Sequence, residues 1–384
     1  MLRKLVPHAP DWKIDWSGIE NSILSDFVKK MKETMQNPDW HGEGDVWTHT
    51  KMICEELVKI PMFQTVERRM QEELFLGALL HDIGKIPCTK WEDGKWISPN
   101  HTSVGSKMAR EFLWKECGLS GNEAAQNFRE TICNLIRYHS VPPHILEQVN
   151  PERRLRKIMT NGELARDFSL EMLFILVEAD IRGRIAASKE ESLEVLEICK
   201  EMAKEAGCLH YQKLFPNEFS EYAYLSGKNI QPGQELYDDT WGEVILLSGL
   251  PGTGKDTWIQ ENCKGMPVVS LDAIRKEKGI SPKENQGAVI NAAREQAKEY
   301  LRKRIPFVWN ATNLTPQIRQ KQCSLFQDYK ASVRIVFLET GWEEELRRNK
   351  GRKAAVPEKV IQEMLKNLVL PERMEAQKVE WHCI

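Results

Sequence analysis

The sequence has no long apolar run and no apolar leader. Its 384 residues include no stretch of roughly 18 apolar residues, the length that a membrane-spanning helix requires. Met1 to Lys30 also lacks the apolar core of a secretory signal peptide. A content of 41% hydrophobic and 29% charged residues is typical of a soluble globular protein. We therefore expect a cytoplasmic protein with no membrane partner, long enough for two domains or more.

Closely paired cysteines are also missing. The nine cysteines are odd in number, and none belongs to a CxxC pair; they stand at positions 54, 88, 117, 133, 199, 208, 263, 323 and 383. Zinc fingers need closely spaced pairs of cysteines, and disulfide frameworks need an even number of them. The pattern argues against both and favours a reduced compartment.

The net charge of the chain is close to zero, but its charged residues are unevenly distributed. Residues 241–384 carry 24 Lys and Arg against 18 Asp and Glu, which leaves 30 against 38 for the remainder. Only the basic C-terminal part hints at a polyanionic partner. The same excess would also suit an ordinary solvated surface.

Residues 1–207 are predicted to form an all-α helical bundle. Apolar residues recur every three or four positions in the stretches 19–31, 74–80 and 170–177. A further helix is expected over about 193–206, and Gly207 marks its end. Few alternating β-type runs interrupt this pattern.

Residues 208–240 read as an interdomain linker. The segment contains Pro216, Gly227, Pro232 and Gly233, together with four of the seven tyrosines. Its aromatic side chains suit packing between two domains, and they would also suit stacking on nucleic-acid bases.

From residue 241 to 384 the pattern alternates between strands and helices. Strands are predicted at 244–248, 268–270, 307–310 and 333–338, and helices at 284–304 and 316–330. This order is typical of an α/β domain with a parallel sheet, which binds ligands at the carboxyl ends of its strands.

Residues that suit a metal site recur through the helical part. They are His49, His81, Asp82, His101, His139 and Asp180. Imidazole binds borderline transition metals, and a carboxylate can bridge two ions. Such a site lets water attack a phosphoester near neutral pH, while Lys85, Arg182 or Arg184 could hold the phosphate.

The spacing of these residues resembles the HD phosphohydrolase superfamily, whose signature is H…HD…D. The matching residues are His49, His81-Asp82 and Asp180, within HDIGK and EADIRGR. The resemblance covers about 40–185. It implies one divalent transition-metal ion, or two if His101 and His139 hold a second. The other histidines, among them His41, are expected at the surface.

Residues 244–257, VILLSGLPGTGKDT, carry a P-loop. Gly249, Gly252 and Gly254 let backbone N–H groups turn towards phosphate, and Lys255 adds a positive charge. The pattern predicts binding of ATP or another nucleoside triphosphate with Mg²⁺. Asp256 stands where a Ser or Thr normally holds the metal ion. We expect Asp256 to help hold Mg²⁺ and Thr257 to contact phosphate, although Asp256 could simply cap the helix.

Two further pairs of residues suit phosphoryl transfer. In SLDAIR, Asp272 would follow a strand and could accept a hydroxyl proton, and Arg275 would lie one turn later beside an acceptor phosphate. In RRNKGRKAAVP, Arg348 and Arg352 are four residues apart and could close over a triphosphate. A helix cap and a solvated basic face are the ordinary alternatives.

These motifs, together with ATNLTP, resemble 5′-hydroxyl polynucleotide kinases of the phage and bacterial RNA-repair type over about 241–370. The resemblance implies that Lys255 and the two pairs of residues carry the transfer, and that Asn313 and Arg319 lie near the nucleotide or acceptor. Ala311 stands where the phage enzyme has an aspartate. We expect Asp256 to replace that lost carboxylate.

An HD hydrolase followed by such a kinase resembles the bifunctional HD-Pnk end-healing enzymes of bacteria. The resemblance implies removal of 2′,3′-cyclic, 2′- and 3′-phosphates from broken RNA and phosphorylation of 5′-OH ends, with DNA ends as a second candidate substrate. The products would suit an RNA ligase. A small-molecule kinase fused to an HD nucleotidase and a non-catalytic nucleotide sensor remain as alternatives.

Overall fold

The computed structural model describes residues 2–281, 284, 286–352 and 355–384. The chain divides into two compact units. Unit 1 comprises Met1–Leu119 and Ala124–Gln212, and unit 2 comprises Ser120–Glu123 and Lys213–Ile384. The segment predicted as a linker, 208–240, therefore contributes its first residues to unit 1 and the remainder to unit 2.

Unit 1 is built mainly from helices, as its apolar periodicity predicts. Several begin at side-chain caps: Asp45 accepts from the backbone N–H of Thr48, and Ser169 accepts from that of Met172. The helices are α1 Trp16–Glu20, α2 Ser25–Glu33, α3 Val46–Leu57, α4 Pro61–Thr65, α5 Arg68–Leu80, α6 Lys85–Cys88, α7 His101–Lys115, α8 Glu123–Tyr138, α9 Pro151–Met159, α10 Asn161–Leu164, α11 Leu170–Arg182 and α12 Lys189–Glu205. Short 3₁₀ helices cover Leu2–Leu5 and Pro142–Glu147.

Helices α3, α5 and α11 pack against one another and form the centre of unit 1. Ile53, Leu74 and Val177, one from each of these helices, are fully buried. Burying one such side chain contributes about 1.5–3 kcal/mol. The three helices are also the ones that carry or precede His49, the HD dipeptide and Asp180, so the core fixes the relative positions of those residues.

Unit 1 also contains a hairpin that was not predicted. Strands β1 Lys90–Glu92 and β2 Lys95–Ile97 pair antiparallel between α6 and α7. Asp93 and Gly94 form the turn, both with positive φ. The Asp-Gly pair is a strong hairpin signal, but three-residue strands are too short for a periodicity search to find.

Unit 2 has a five-stranded parallel sheet with strand order β4-β5-β3-β6-β7. Its strands are β3 Glu243–Ser248, β4 Val268–Ser270, β5 Phe307–Asn310, β6 Ser332–Glu339 and β7 Lys378–Cys383. Its helices are α13 Glu218–Leu225, α14 Lys255–Asn262, α15 Leu271–Glu277, α16 Gly287–Arg302, α17 Pro316–Asp328, α18 Trp342–Lys350 and α19 Glu358–Asn367, with a 3₁₀ turn at Arg373–Glu375. The predicted α/β class is confirmed.

The four predicted strands are all present, and β3 lies at the centre of the sheet between β5 and β6. Val244 pairs with Phe307 on one side and with Val333 on the other. Strand β7 was not predicted, because its sequence KVEWHC lacks a long β-branched run. The helix predicted over 284–304 is observed as α16; Asn285 lies outside the described residues.

No helix among the described residues is both long enough and apolar enough to cross a membrane.

Candidate active sites

The HD dipeptide lies in a tight turn at the end of α5. His81 is the C-cap residue of that helix, and Gly84, two residues after Asp82, is the N-cap residue of α6. A Cβ atom on Gly84 would lie 2.0 Å from the backbone oxygen of His101 and 2.5 Å from the backbone nitrogen of Gly105. Only glycine allows this approach, which brings the start of α7 against the HD turn.

Other helices bring the remaining candidate ligands to the same place. His49 lies in α3, His101 is the first residue of α7, His139 directly follows α8, and Asp180 lies in α11. All of them except His101, which is half-buried, are buried. The structure therefore brings together the six residues that the sequence separates by up to 131 positions.

Asp82 lies at the centre of this cluster and uses both of its carboxylate oxygens. Oδ2 lies 3.0 Å from Nε2 of His81 and 3.7 Å from Nε2 of His49. Oδ1 lies 3.5 Å from Nε2 of His101 and 3.8 Å from Nε2 of His139. Asp180 approaches from α11, with Oδ1 3.2 Å from Nε2 of His49.

Backbone carbonyls set the orientation of three of these imidazole rings. Nδ1 of His81 donates to Ala78 at 2.8 Å, Nδ1 of His139 to Ile136 at 2.8 Å, and Nδ1 of His101 to Ser98 at 2.9 Å. A proton on Nδ1 leaves the lone pair on Nε2, the atom that faces Asp82. Fixing the tautomer through an outer hydrogen bond is typical of histidines that bind metal ions.

The donor set fits a divalent transition-metal ion. Nε2 of His81 and Oδ1 of Asp82 are buried without a hydrogen-bond partner, so a bound cation would satisfy atoms that otherwise raise the free energy of the fold. Within the six candidate ligands, two groups of three have ligand atoms within 4.8 Å of one another: His49, His81 and Asp82, and Asp82, His101 and His139. Asp82 belongs to both groups, as a bridging carboxylate would.

Burial favours the neutral imidazole at His139 and His101. At His81 burial acts in the same direction, but nearby negative charges, first that of Asp82, outweigh it and raise the pKa. Burial, with the charge of His81, lowers the pKa of His139 to about 3. Burial also lowers the pKa of His101. At pH 7 both rings are therefore neutral, which is the form that coordinates a metal ion.

Two cations approach the cluster. Nζ of Lys85 lies 2.7 Å from Oδ2 of Asp82, and Arg184 forms a two-point ion pair with Asp180. Both could contact a phosphate that lies at the cluster. Arg182, the third predicted cation, is instead half-exposed and paired with Glu178 on its own helix at 2.9 Å.

The P-loop follows β3 with the geometry that its glycines predict. Gly249, Gly252 and Gly254 all have positive φ, at 147°, 95° and 82°. A Cβ atom on Gly249 would lie 2.6 Å from the backbone oxygen of Leu338. The glycines therefore keep open a cradle of backbone groups at the start of α14, which favours a bound anion.

Lys255 is held inside that loop. Its Nζ donates to the backbone oxygens of Gly249 at 2.9 Å and Leu250 at 2.7 Å. Burial, with the nearby charge of Arg352, lowers the pKa of Lys255 to about 8. A phosphate would offer this ammonium a charged partner in exchange for two neutral carbonyls.

Asp256 is exposed at the first turn of α14, where Nδ2 of Asn310 donates to its Oδ1 at 2.7 Å. Asn310 is the last residue of β5, so the carboxylate lies at the tip of the strand that precedes Ala311. Thr257 follows in α14 and is also exposed. That Asp256 takes the place of a missing strand-tip carboxylate stays a prediction.

Asp272 lies in the first turn of α15 with 74% of its side chain exposed. Arg275, one turn later, forms an ion pair with its Oδ1, while Nη2 of Arg352 lies 3.9 Å from its Oδ2. Arg348 is held by Glu344 at 2.6 Å, and its Nη1 would lie 3.6 Å from a Cβ atom on Gly254. Of the second predicted pair, Arg352 thus lies near Asp272 and Arg348 lies near the P-loop. Lys353 and Ala354 of the same motif lie outside the described residues.

Two known families match the chain, each over a different stretch. Residues 45–172 match the HD domain family, and residues 244–371 match the AAA domain family. The chain joins an HD domain to a P-loop kinase-like domain. No curated protein matches the chain. The two domains support an enzyme with two activities, and the His/Asp cluster of the HD domain can hold a metal ion.

One residue of the kinase-like domain needs a correction. Arg319, expected beside the nucleotide or acceptor, has no exposed side-chain surface. Its guanidinium pairs with Glu375 at 2.6 Å and donates to the backbone oxygens of Asn313 and Val369. Asn313 is buried as well, and its Nδ2 donates to Leu247. Both side chains are therefore held by bonds within the protein at this end of the sheet.

Unit 1 contains two polar residues beside the cluster that the sequence analysis did not place in the site. His41, expected at the surface, is largely buried, and its Nε2 lies 3.4 Å from Nζ of Lys85. Oε1 of Glu43 lies 2.9 Å from Nδ1 of His41 and 2.7 Å from Nδ1 of His49. Burial acts to raise the pKa of Glu43, but bonds from His41 and His49 hold it below its usual range. The HGEGD run beside His49 was the available signal.

Glu345 is a second residue that the sequence did not single out. It lies in α18 with a fully buried side chain, and neither carboxylate oxygen has a hydrogen-bond partner. Burial raises its pKa to about 8, although the charge of Lys255 opposes the shift. The backbone oxygen of Glu345 would lie 3.0 Å from a Cβ atom on Gly252, so α18 packs directly under the P-loop.

Proposed function

We propose that this chain is a bifunctional nucleic-acid end-healing enzyme. Its HD domain would hydrolyse 2′,3′-cyclic, 2′- and 3′-phosphates at broken RNA ends, and its kinase-like domain would phosphorylate 5′-OH ends. The observation that carries the proposal is the approach of Arg275 and Arg352 to Asp272. Arg352 and Asp272 are close enough to Lys255 for their charges to act on it. That arrangement pairs a carboxylate for an acceptor hydroxyl with a cation for an acceptor phosphate.

In the kinase reaction, the 5′-OH of the acceptor lies against Asp272. The hydroxyl oxygen bonds to the γ-phosphorus as its proton passes to the carboxylate, and the bond from that phosphorus to the nucleoside diphosphate breaks. Lys255, Arg348 and Arg352 offset the negative charge on the transferred group. Arg275 holds the phosphate that follows the terminal nucleoside. Asp256 would help to hold Mg²⁺.

In the HD domain, His49, His81, Asp82, His101, His139 and Asp180 would hold one or two divalent transition-metal ions. Such an ion supplies Lewis acidity that lets water attack phosphorus near neutral pH. Lys85 and Arg184 bind the non-bridging phosphate oxygens and orient the ester. Each step consumes one water: the cyclic ester opens to a monoester, and the monoester gives a hydroxyl and inorganic phosphate.

The pairing of these activities has a chemical reason. Ribonucleases that cut by transesterification leave a cyclic phosphate on one end and a bare 5′-OH on the other. A ligase needs the reverse, a 3′-OH and a 5′-phosphate. A hydrolase joined to a kinase would correct both ends, which suggests a functional link to an RNA ligase.

The test is an RNA oligonucleotide with a 5′-OH and a 2′,3′-cyclic phosphate, incubated with ATP, Mg²⁺ and a transition metal. With the γ-phosphate of ATP labelled, we expect the label on the 5′ end of the RNA and loss of the phosphate from its 3′ end. Labelling of mononucleosides alone would favour a small-molecule kinase fused to a nucleotidase. Absence of both reactions would contradict the proposal.

A further inference from the structure

Two exposed tryptophans lie in segments of unit 1 that adjoin the metal-ligand cluster. Trp91 in β1 has 60% of its surface exposed, and Trp40 has 52%. Among the described residues of unit 1, these are the two large aromatic side chains that are most exposed. Single exposed apolar residues are common, so their importance depends on where they lie.

The hairpin that carries Trp91 is tied to the cluster at both ends. Its first strand follows α6, which begins at Lys85 beside Asp82, and its second strand leads to His101. Hydroxyls of Thr89 and Ser98 bond at 2.8 Å and close the base of the hairpin. The backbone oxygen of the same Ser98 accepts from Nδ1 of His101 at 2.9 Å.

Trp91 faces Trp96 across the hairpin, with ring centroids 5.1 Å apart and planes at 74°. An edge-to-face pair of this kind stabilises a short hairpin, which alone is only marginally stable in water. The pair fixes the orientation of the Trp91 ring and still leaves most of that ring in solvent. Trp96 is two residues from Ser98, or about 7 Å along the strand.

Trp40 reaches the cluster by a separate segment. It directly precedes His41, whose Nε2 lies 3.4 Å from Nζ of Lys85 and whose Nδ1 bonds to Glu43. Two exposed indoles on independent segments therefore lie next to residues that line one site.

We propose that Trp91, with Trp40, stacks on bases of a single-stranded nucleic acid whose terminal phosphate lies at the HD cluster. This inference rests on the end-healing function proposed above and adds how the substrate is held. Every base has a face that can stack, so an aromatic platform binds ends of any sequence. Lys85 and Arg184 hold the phosphate, whereas the indoles discriminate a polynucleotide from a simple phosphomonoester.

The experiment uses three substrates for the HD reaction of the full-length enzyme. The first is an oligoribonucleotide with a 3′-phosphate and a 5′-phosphate, which leaves no acceptor hydroxyl for the kinase. The second is the same oligonucleotide with abasic residues at its 3′ end, which keeps the phosphates and removes the stacking partners. The third is glycerol 2-phosphate, a secondary-alcohol monoester without a base.

The variant is Trp91→Val, which keeps a strand-forming residue but removes the ring. Because base stacking on an aromatic side chain contributes about 1–3 kcal/mol per base, KM for the normal oligonucleotide should rise about five- to a hundredfold. KM for the abasic oligonucleotide and for glycerol 2-phosphate should not change. Trp91→Phe should retain most of the preference for bases. Ile198→Ala, at another exposed apolar residue of unit 1, is the matched control.

The failure of this inference differs from the failure of the proposed function. If wild type and Trp91→Val hydrolyse normal and abasic oligonucleotides with the same KM, the stacking surface is wrong and end healing stands. If wild type hydrolyses glycerol 2-phosphate but neither oligonucleotide, the proposed function is wrong, and the stacking surface is overturned with it.

Discussion

Oδ1 of Asp82 lies 3.5 Å from Nε2 of His101, on a carboxylate whose other oxygen lies 3.0 Å from Nε2 of His81. One aspartate thus joins two groups of metal-ligand atoms. The relationship explains why a glycine is needed at position 84, since only close contact between the HD turn and α7 places His101 against Asp82.

The bridging position of Asp82 predicts two metal ions per chain. His101→Ala should reduce the content to about one, because His49, His81 and Asp82 remain as a complete group. Metal analysis of purified protein after loading with a transition metal measures the ratio. His144→Ala, at an exposed histidine paired with Glu147, should leave the content unchanged. Equal metal content in wild type and His101→Ala would show that the second group binds nothing.

Asp256 is expected to set the Mg²⁺ requirement of the kinase. Asp256→Ala should raise the Mg²⁺ concentration for half-maximal activity by about tenfold or more, as happens when a group that supports a metal site is lost. A magnesium titration at saturating ATP gives the value. Glu261→Ala, at another acidic residue of α14, serves as the control. If Asp256→Ala retains full activity at limiting Mg²⁺, the carboxylate only caps the helix.

Replacing Arg319 should lower the stability of the protein and leave substrate binding unchanged. Removing one partner of a buried ion pair commonly costs about 3–5 kcal/mol, so Arg319→Ala should strongly lower the free energy of unfolding of the kinase-like domain. Denaturant titration measures the change, and Lys321→Ala on the same helix should have little effect. A stable Arg319→Ala protein with a raised KM for ATP or acceptor would restore the ligand role that we have set aside.

The raised pKa of Glu73 should make the free energy of unfolding depend on pH. Burial, followed by the charge of Asp167, raises the pKa of Glu73 from 4.5 to about 9 in the folded protein. The folded state therefore binds this proton more tightly than the unfolded state does. The stability that protonated Glu73 contributes is complete below about pH 4.5 and is lost as pH rises towards 9.

The neutral variant Glu73→Gln tests this dependence. Its free energy of unfolding should approach that of wild type at pH 5 and exceed it increasingly towards pH 8, since the amide does not ionise. Thermal or denaturant unfolding at several pH values measures the difference. Glu67 and Glu73 line the same pocket, but the Glu67 side chain is exposed, so Glu67→Gln is the matched control. A difference independent of pH would mean that Glu73 is ionised in the fold.

The sequence predicted those parts of the structure that depend on local patterns. Buried β-branched runs located β4 and β5 at their observed bounds, and helical periodicity located α5 and α11. Strand β7, at the edge of the sheet, was missed because it has no continuous apolar run, although its alternation of polar and apolar residues was an available signal. The hairpin β1–β2 escaped because its strands are only three residues long.

Contacts between distant residues explain the errors within the sites. Arg319 looks like a ligand in the sequence, but Glu375, 56 positions later, neutralises it inside the fold. His41 looks like a surface residue, but Glu43 and Lys85 enclose it. The HD residues were found because their spacing is a signature, whereas the partners that orient them, such as the carbonyls of Ala78 and Ile136, have no signature at all.

The central claim is that two separate sites act on the two ends of one nucleic-acid substrate. The most direct measurement follows both ends of a single RNA that carries a 5′-OH and a 3′-phosphate, in wild type, Asp82→Asn and Lys255→Met. Asp82→Asn should leave the 3′-phosphate in place and still phosphorylate the 5′ end. Lys255→Met should remove the 3′-phosphate and leave the 5′-OH bare. Loss of both reactions in either variant, or failure of the wild type to alter either end, would contradict the account.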